Sequence, residues 1–167
     1  MTEFEVLVGK KVIAVSVQDD VAYLVLESGR VAVLTLEGDC CSSSSFTPEG
    51  MAAFNELIGA TITAVEQRGN ESPEWQRREE ACAARHPPSD VDSWHFLVFI
   101  TDRGHVTIDW RNSSNGYYDG SITPSSQTLH PVVVDAILEG QAGAFVNALQ
   151  TRLRDKEFFS GPLTVTP

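Results

Sequence analysis

The feature that most constrains how this chain folds is an internal repeat. Met1, Phe4, Leu7, Gly9, Ala14 and Val15 recur fifty residues on as Met51, Phe54, Leu57, Gly59, Ala64 and Val65. Self-similarity at a fixed offset reads as one architectural unit used twice. In the first copy Thr2 and Glu5 fit a capping box, Phe4 and Leu7 a buried helical face and Gly9 a stop, so a short helix is expected. Val12 to Val17 reads as a strand. Tyr23 to Leu26 and Val31 to Leu36 flank Glu27-Ser28-Gly29-Arg30, a turn signal, and predict a hairpin.

The second copy opens with Thr47 as N-cap, Pro48 at the first helical position and Glu49 in the first turn; Met51, Phe54, Leu57 and Ile58 share a face, and Gly59 ends it. Ile62 to Glu66 is the strand, followed by an excursion from Gly69 to Ser93. Phe96 to Phe99 and Val106 to Ile108 then flank Thr101-Asp102-Arg103-Gly104, matching Tyr23 to Leu26, the Gly29 turn and Val31 to Val33. Each third strand is expected to run out into a polar loop, Gly38 to Ser45 and Asn112 to Gly120. Within the excursion Ser72-Pro73-Glu74 and Pro87-Pro88 bracket an inserted helix over Trp75 to Arg85. Ser121 to Thr128 reads as loop. Phe145, Val146, Leu149 and Leu153 fall at helical spacing, and Phe158 to Val165 as an edge strand or packed tail.

The fold expected is α+β: a single domain over 1–167 with a mostly antiparallel sheet of about six strands and helices on one face. Its pseudo-repeated helix-strand-hairpin units cover about 2–46 and about 47–120, the second with an insertion over 69–93, and a C-terminal helical extension spans 130–167. A chain of 167 residues is long enough for one real core.

Charge narrows the functions. The 12 Lys and Arg against 23 Asp and Glu leave a net charge of -11, a field that repels phosphate backbones and argues against general nucleic-acid binding. Residues 1–93 hold 16 acids and 7 bases (net -9), residues 94–167 hold 7 and 5 (net -2), so the acidity lies away from Arg111. A DNA mimic would need a dense acidic face, whereas these acids are dispersed in sequence. No apolar run approaches the roughly 20 residues of a membrane span, and Met1-Thr2-Glu3-Phe4-Glu5 is acidic where a secretory signal is basic. A cytoplasmic protein without membrane contact is expected. Three cysteines, two adjacent, do not form a secreted disulfide framework.

Chemistry concentrates in two runs. Asp109 to Gly120 holds Arg111, Asn112, Asn115, Tyr117 and Tyr118: a planar fork of donors for phosphate or carboxylate, amides, and aromatic faces with polar tips. Asp39, Cys40, Cys41 and Ser42 form its counterpart after the third strand of the first copy. Together these nine residues are the candidate ligand site, the two runs meeting across a pseudo-twofold axis. The alternative is that Asn115-Gly116 is a tight turn and the serines satisfy loop backbone. A thiolate at Cys40 or Cys41 would need a base, for which His95, His105, Asp102 and Asp109 are candidates, but no catalytic residue is assigned. Cys82 and His86 are too few for zinc, and no cofactor or metal is expected.

Gly38-Asp39-Cys40-Cys41-Ser42 and Arg111-Asn112-Ser113-Ser114-Asn115-Gly116-Tyr117-Tyr118, with Leu57-Ile58-Gly59 between them, resemble an uncharacterised family of small proteins of phages and bacteria, notably actinobacteria, over roughly residues 5–120. The resemblance implies a phage-encoded accessory protein acting on host machinery, in the host cytoplasm. The leading expectation is a non-catalytic protein that binds or sequesters a small polar or anionic ligand such as a signalling nucleotide, an anti-defence role. A protein that inhibits a host factor by binding it, and a cysteine-dependent enzyme, are the alternatives. A homodimer is expected, because hairpin edge strands need covering.

Overall fold

The computed structural model describes residues 3–38, 42–69, 91–114 and 120–129, with Asp135 and Glu139. Along these residues run β1 (Val12–Val17), β2 (Val21–Leu26), β3 (Arg30–Gly38), β4 (Ser43–Phe46), α1 (Pro48–Ala53), a 3-10 turn (Phe54–Leu57), β5 (Ile62–Arg68), β6 (Val91–Thr101), β7 (Gly104–Ser114) and β8 (Gly120–Thr128). The strands form two four-stranded antiparallel sheets, ordered β1-β2-β3-β8 and β4-β7-β6-β5. Each sheet is a three-strand meander from one half of the chain completed by a strand from the other. β4 follows β3 but pairs with β7, and β8 follows β7 but pairs with β3.

The two halves repeat in bonding as well as in residues. A register shift between Val12 and Ala14 in β1 recurs between Ile62 and Ala64 in β5. Gly9 N–H donates to Ile62 O and Gly59 N–H to Val12 O, each at 2.7 Å. Both glycines sit at positive φ, 75° and 83°, a conformation that an L side chain strains to adopt. Apolar residues on the facing sides of both sheets form one core. Leu24, Leu26, Leu34 and Leu36 meet Leu97, Phe99, Ile108 and Trp110, with Phe4, Leu7, Phe54 and Leu57 packed among them. Burying each large side chain of this kind is worth about 1.5–3 kcal/mol. Phe54 lies edge-on to Phe46 and Phe99, at 5.2 and 6.2 Å between ring centres.

The α+β expectation is corrected by this arrangement. Strands make up 66% of the described residues and helix 12%, so the chain is mainly antiparallel β in two sheets, not a helix-rich fold with one sheet and helices on one face. The helix expected from Thr47 to Ile58 shortens to six residues, capped by Thr47 Oγ1 accepting from Gly50 N–H at 2.9 Å, before the chain tightens to a 3-10 turn. Residues 3–9 form turns, with Leu7 N–H donating to Phe4 O and Val8 N–H to Glu5 O. No C-terminal helix is among the described elements, and the span 130–167 lies, but for Asp135 and Glu139, outside the described residues, as do the inserted helix and most of the insertion.

Three stretches read as loop are strand. Ser43–Phe46, Arg111–Ser114 and Gly120–Thr128 owe their extended state to long-range pairing, which supplies the hydrogen bonds that their Ser, Asn, Gly and Pro content does not favour locally. Pro124 fits because β8 is an edge strand. The match between the halves also shifts. Val15 pairs with Leu24 and Leu24 with Ala32, whereas Val65 pairs with Phe99 and Phe99 with Val106. Leu24 therefore corresponds to Phe99, two residues from the sequence match, because the β6–β7 turn closes at Thr101 and Gly104 and is tighter than that after Val25.

Candidate functional site

Strand exchange brings the described ends of the two candidate runs to one place. Gly38 pairs with Gly120 at the end of β3 and β8, and Ser43 pairs with Ser113 near the end of β4 and β7. The ends of the connection 38–43 thus sit against the ends of the connection 114–120. Of the nine residues singled out, Ser42, Arg111 and Asn112 are described; Asp39, Cys40, Cys41, Asn115, Tyr117 and Tyr118 lie outside the described residues. Ser42 backs onto Gly38, where an added Cβ would come within 2.7 Å of Ser42 O and 2.9 Å of its Oγ.

On the inner face, Asn112 is buried, with 1% of its surface exposed. It stands opposite Ser44 on β4 and Ser93 on β6. Asn112 Nδ2 donates to Ser44 Oγ at 2.9 Å, and Ser44 Oγ donates to Glu37 O at 3.1 Å. Gly120 belongs to the same joint: a Cβ there would collide with Ser44 Oγ and come within 2.7 Å of Asn112 Nδ2 and 3.0 Å of Glu37 O. β3, β4, β7 and β8 are therefore tied together where the two connections leave them. One row deeper His95 stacks on Trp110, ring centres 4.1 Å apart and planes 12° from parallel, and shares a hydrogen bond of 3.2 Å between its Nε2 and Ser93 Oγ. Here the apolar core gives way to Ser44, Ser93, His95 and Asn112.

Arg111 faces the other way. Neighbouring residues of a strand point to opposite sides of the sheet, so Arg111 and Asn112, adjacent in sequence, do not share a site. Arg111 is half-buried on the outer face, opposite Ser45 on one side and Trp94 on the other. Trp94 is 8% exposed, and both Arg111 and Trp94 have partners of their own. Two residues earlier on the same face Asp109 is buried, and its carbonyl accepts from Thr47 N–H at 3.1 Å. Ser44, Ser45 and Gly120 lie within the two candidate runs without having been singled out, and Trp94 lies outside both; its signal was the alternation of Trp94, Phe96 and Val98, which extends β6 outward from its apolar centre.

The corresponding place in the first half differs in charge. Counting outward from Ala32 and Val106 matches Leu36 with Trp110, Glu37 with Arg111 and Gly38 with Asn112. Glu37 is exposed and pairs with Ser121, as Arg111 pairs with Ser45. The turn before β2 adds Asp19 and Asp20, whose carbonyls accept from Phe46 N–H and Leu36 N–H at 2.7 Å. On β2 itself, the Tyr23 phenol is held above its ordinary value, first by burial and then by the charge of Asp20.

Of the four bases considered for a thiolate, only His95 lies on the inner face at the end where the 38–43 connection leaves the sheet. His105 pairs with Ile100 near the opposite end, Asp102 accepts from Thr61 N–H at 2.8 Å in the far turn, and Asp109 faces outward. Among the described residues no group of three or more His, Cys, Asp and Glu could hold a metal ion, and Cys82 and His86 lie outside them. No helix among the described residues is long and apolar enough to cross a membrane.

Residues 5–123 match a family described as a domain of unknown function, DUF7448, and the chain belongs to that family. The match covers both sheets up to Thr123, both connections and every residue of the candidate site. No curated protein and no solved structure matches the chain.

Proposed function

We propose that this protein is a non-catalytic binder of a small anionic ligand, held by the Arg111 guanidinium on the outer face of β7 beside Ser45 and Trp94. The observation that carries this reading is the charge reversal between halves: one architectural position holds Glu37 in one copy and a half-buried Arg111 in the other. A guanidinium recognises phosphate or carboxylate through two parallel hydrogen bonds, and Trp94 gives the same row an aromatic member. A signalling nucleotide carries an anion and a ring together and is the ligand class favoured.

In this proposal the protein is a phage-encoded accessory factor that sequesters such a nucleotide in the host cytoplasm, and it acts as a homodimer. The resemblance to phage and actinobacterial proteins supports that setting. Thermal shift against a panel of nucleotides and metabolites tests the reading. A phosphorylated ligand should raise the melting temperature of the native protein and not that of Arg111→Ala. If no small molecule did so while a host protein co-purified in fixed proportion, the inhibitory-binding alternative would replace it; steady turnover of a ligand lost in Cys40→Ser or Cys41→Ser would point to a thiol enzyme.

A further inference from the structure

The inner joint holds a feature that the Arg111 reading does not use. Ser44 Oγ gives its only proton to Glu37 O, so it can serve Asn112 only as an acceptor. The Asn112 amide is therefore fixed with Nδ2 toward Ser44 at 2.9 Å and Oδ1 turned away from it. Asn112 Oδ1 is buried and has no hydrogen-bond partner among the described residues. Leaving a buried acceptor unmatched costs about 1–3 kcal/mol, and native proteins keep few of them. Reversing the amide is no remedy, because Nδ2 would then be the orphan and Ser44 would have to leave Glu37. The latch thus satisfies one arm of Asn112 and leaves the other open to a donor.

Its surroundings are polar. Ser93 stands opposite Asn112 in register on the same face, hydrogen-bonded to His95 at 3.2 Å, and His95 is propped against Trp110. Beyond His95 the neighbouring strand β5 ends at Arg68, and a Cβ added at Gly69, the next residue, would stand 3.9 Å from His95 Nδ1. We propose that this joint is a binding site for one hydrogen-bond donor, an amine, amide N–H or hydroxyl of a small polar molecule, received by Asn112 Oδ1 with Ser93 and His95 beside it. The site is separate from that of Arg111, because the two residues face opposite sides of β7. It reads a donor, whereas Arg111 reads an anion.

The two can be tested apart with probes that carry no anionic group of their own. Methylammonium has donors; tetramethylammonium has the same charge and none. With nitrogen-15-labelled protein, methylammonium chloride should shift the Asn112 side-chain amide resonances saturably, and tetramethylammonium chloride should not. Asn112→Ser removes the carbonyl and should weaken the methylammonium response about tenfold or more, the loss expected for one hydrogen bond to a charged donor. Should that variant fail to fold, the comparison of the two cations on the native protein still decides. No saturable response to methylammonium, as expected if the carbonyl is served only by a resident water molecule, overturns the proposal. An equal response to tetramethylammonium, or an undiminished response in folded Asn112→Ser, overturns it as well.

Discussion

The two halves of this molecule share a skeleton and differ where it matters for chemistry. Gly9 and Gly59 make the same turn, each bonding across to the other half, and β1 and β5 slip register at the same step. At the end of the third strand the likeness stops. The first half has Glu37 and Gly38, with Gly120 and Ser121 across from them; the second has Arg111 and Asn112, with Ser44 and Ser45. A fold built twice needs the turns and apolar rows in both copies, because each sheet depends on a strand from the other. It does not need the strand ends alike, and those ends carry an acid in one copy and a guanidinium and an amide in the other.

That comparison can be broken first at its tightest point. Gly120→Ala would drive a methyl group into Ser44 Oγ and Asn112 Nδ2, so a loss of about 1–3 kcal/mol in denaturant unfolding is expected, the usual cost of overpacking. The joint has no slack there, since Glu37 O also lies within 3.0 Å of the added carbon. Unchanged stability would mean that the two sheets are not locked together at this row.

A smaller change separates the two copies of the strand end. Ser44→Ala strips Asn112 Nδ2 of its acceptor and Glu37 O of a donor, and should cost about 1–2 kcal/mol of stability. Ser121→Ala, which removes the exposed serine that pairs with Glu37, should stay within about 0.5 kcal/mol. Equal effects at the two serines, read from melting curves, would dissolve the distinction between the halves.

The smallest effect is one of pH. Burial and Asp20 hold the Tyr23 phenol above its ordinary value near 10, so in the folded chain it keeps its proton where the unfolded chain has lost it. The folded state then binds more protons, and stability must fall as pH rises from about 10 upward. Tyr23→Phe should flatten that part of the curve. An alkaline limb of the same slope in the variant would assign the loss to other groups.

How much of this was legible in the sequence follows from what each segment depends on. The repeat, the hairpin at Gly29 and the Thr47 cap were legible because apolar spacing and turn chemistry are local. β4 and β8 were not, since Ser43–Phe46 and Gly120–Thr128 become strands only through partners in the other half of the chain. The same error hid the site's division. Once Arg111 and Asn112 were read as loop, nothing put them on opposite faces; as residues of β7 they must be. The α+β expectation failed for a related reason: the apolar residues at helical spacing in 48–58 make only a six-residue helix and a 3-10 turn. The meeting of the strand ends that bound the two runs follows from the repeat, because equivalent strands end at equivalent places.

The measurement that bears most directly on the functional reading is a matched pair of calorimetric titrations, Arg111→Ala against Glu37→Ala, with the phosphorylated ligand that most stabilises the native protein and with a melting curve for each variant. The account predicts that Arg111→Ala weakens binding by about 1.5–3 kcal/mol, the worth of a hydrogen bond to a charged group, while its melting temperature holds. Glu37→Ala should leave affinity unchanged or improve it slightly, by removing a negative charge from the equivalent position of the other half. Equal affinity in both variants, or a lowered melting temperature in Arg111→Ala without loss of binding, would contradict it and make Arg111 a structural residue of β7.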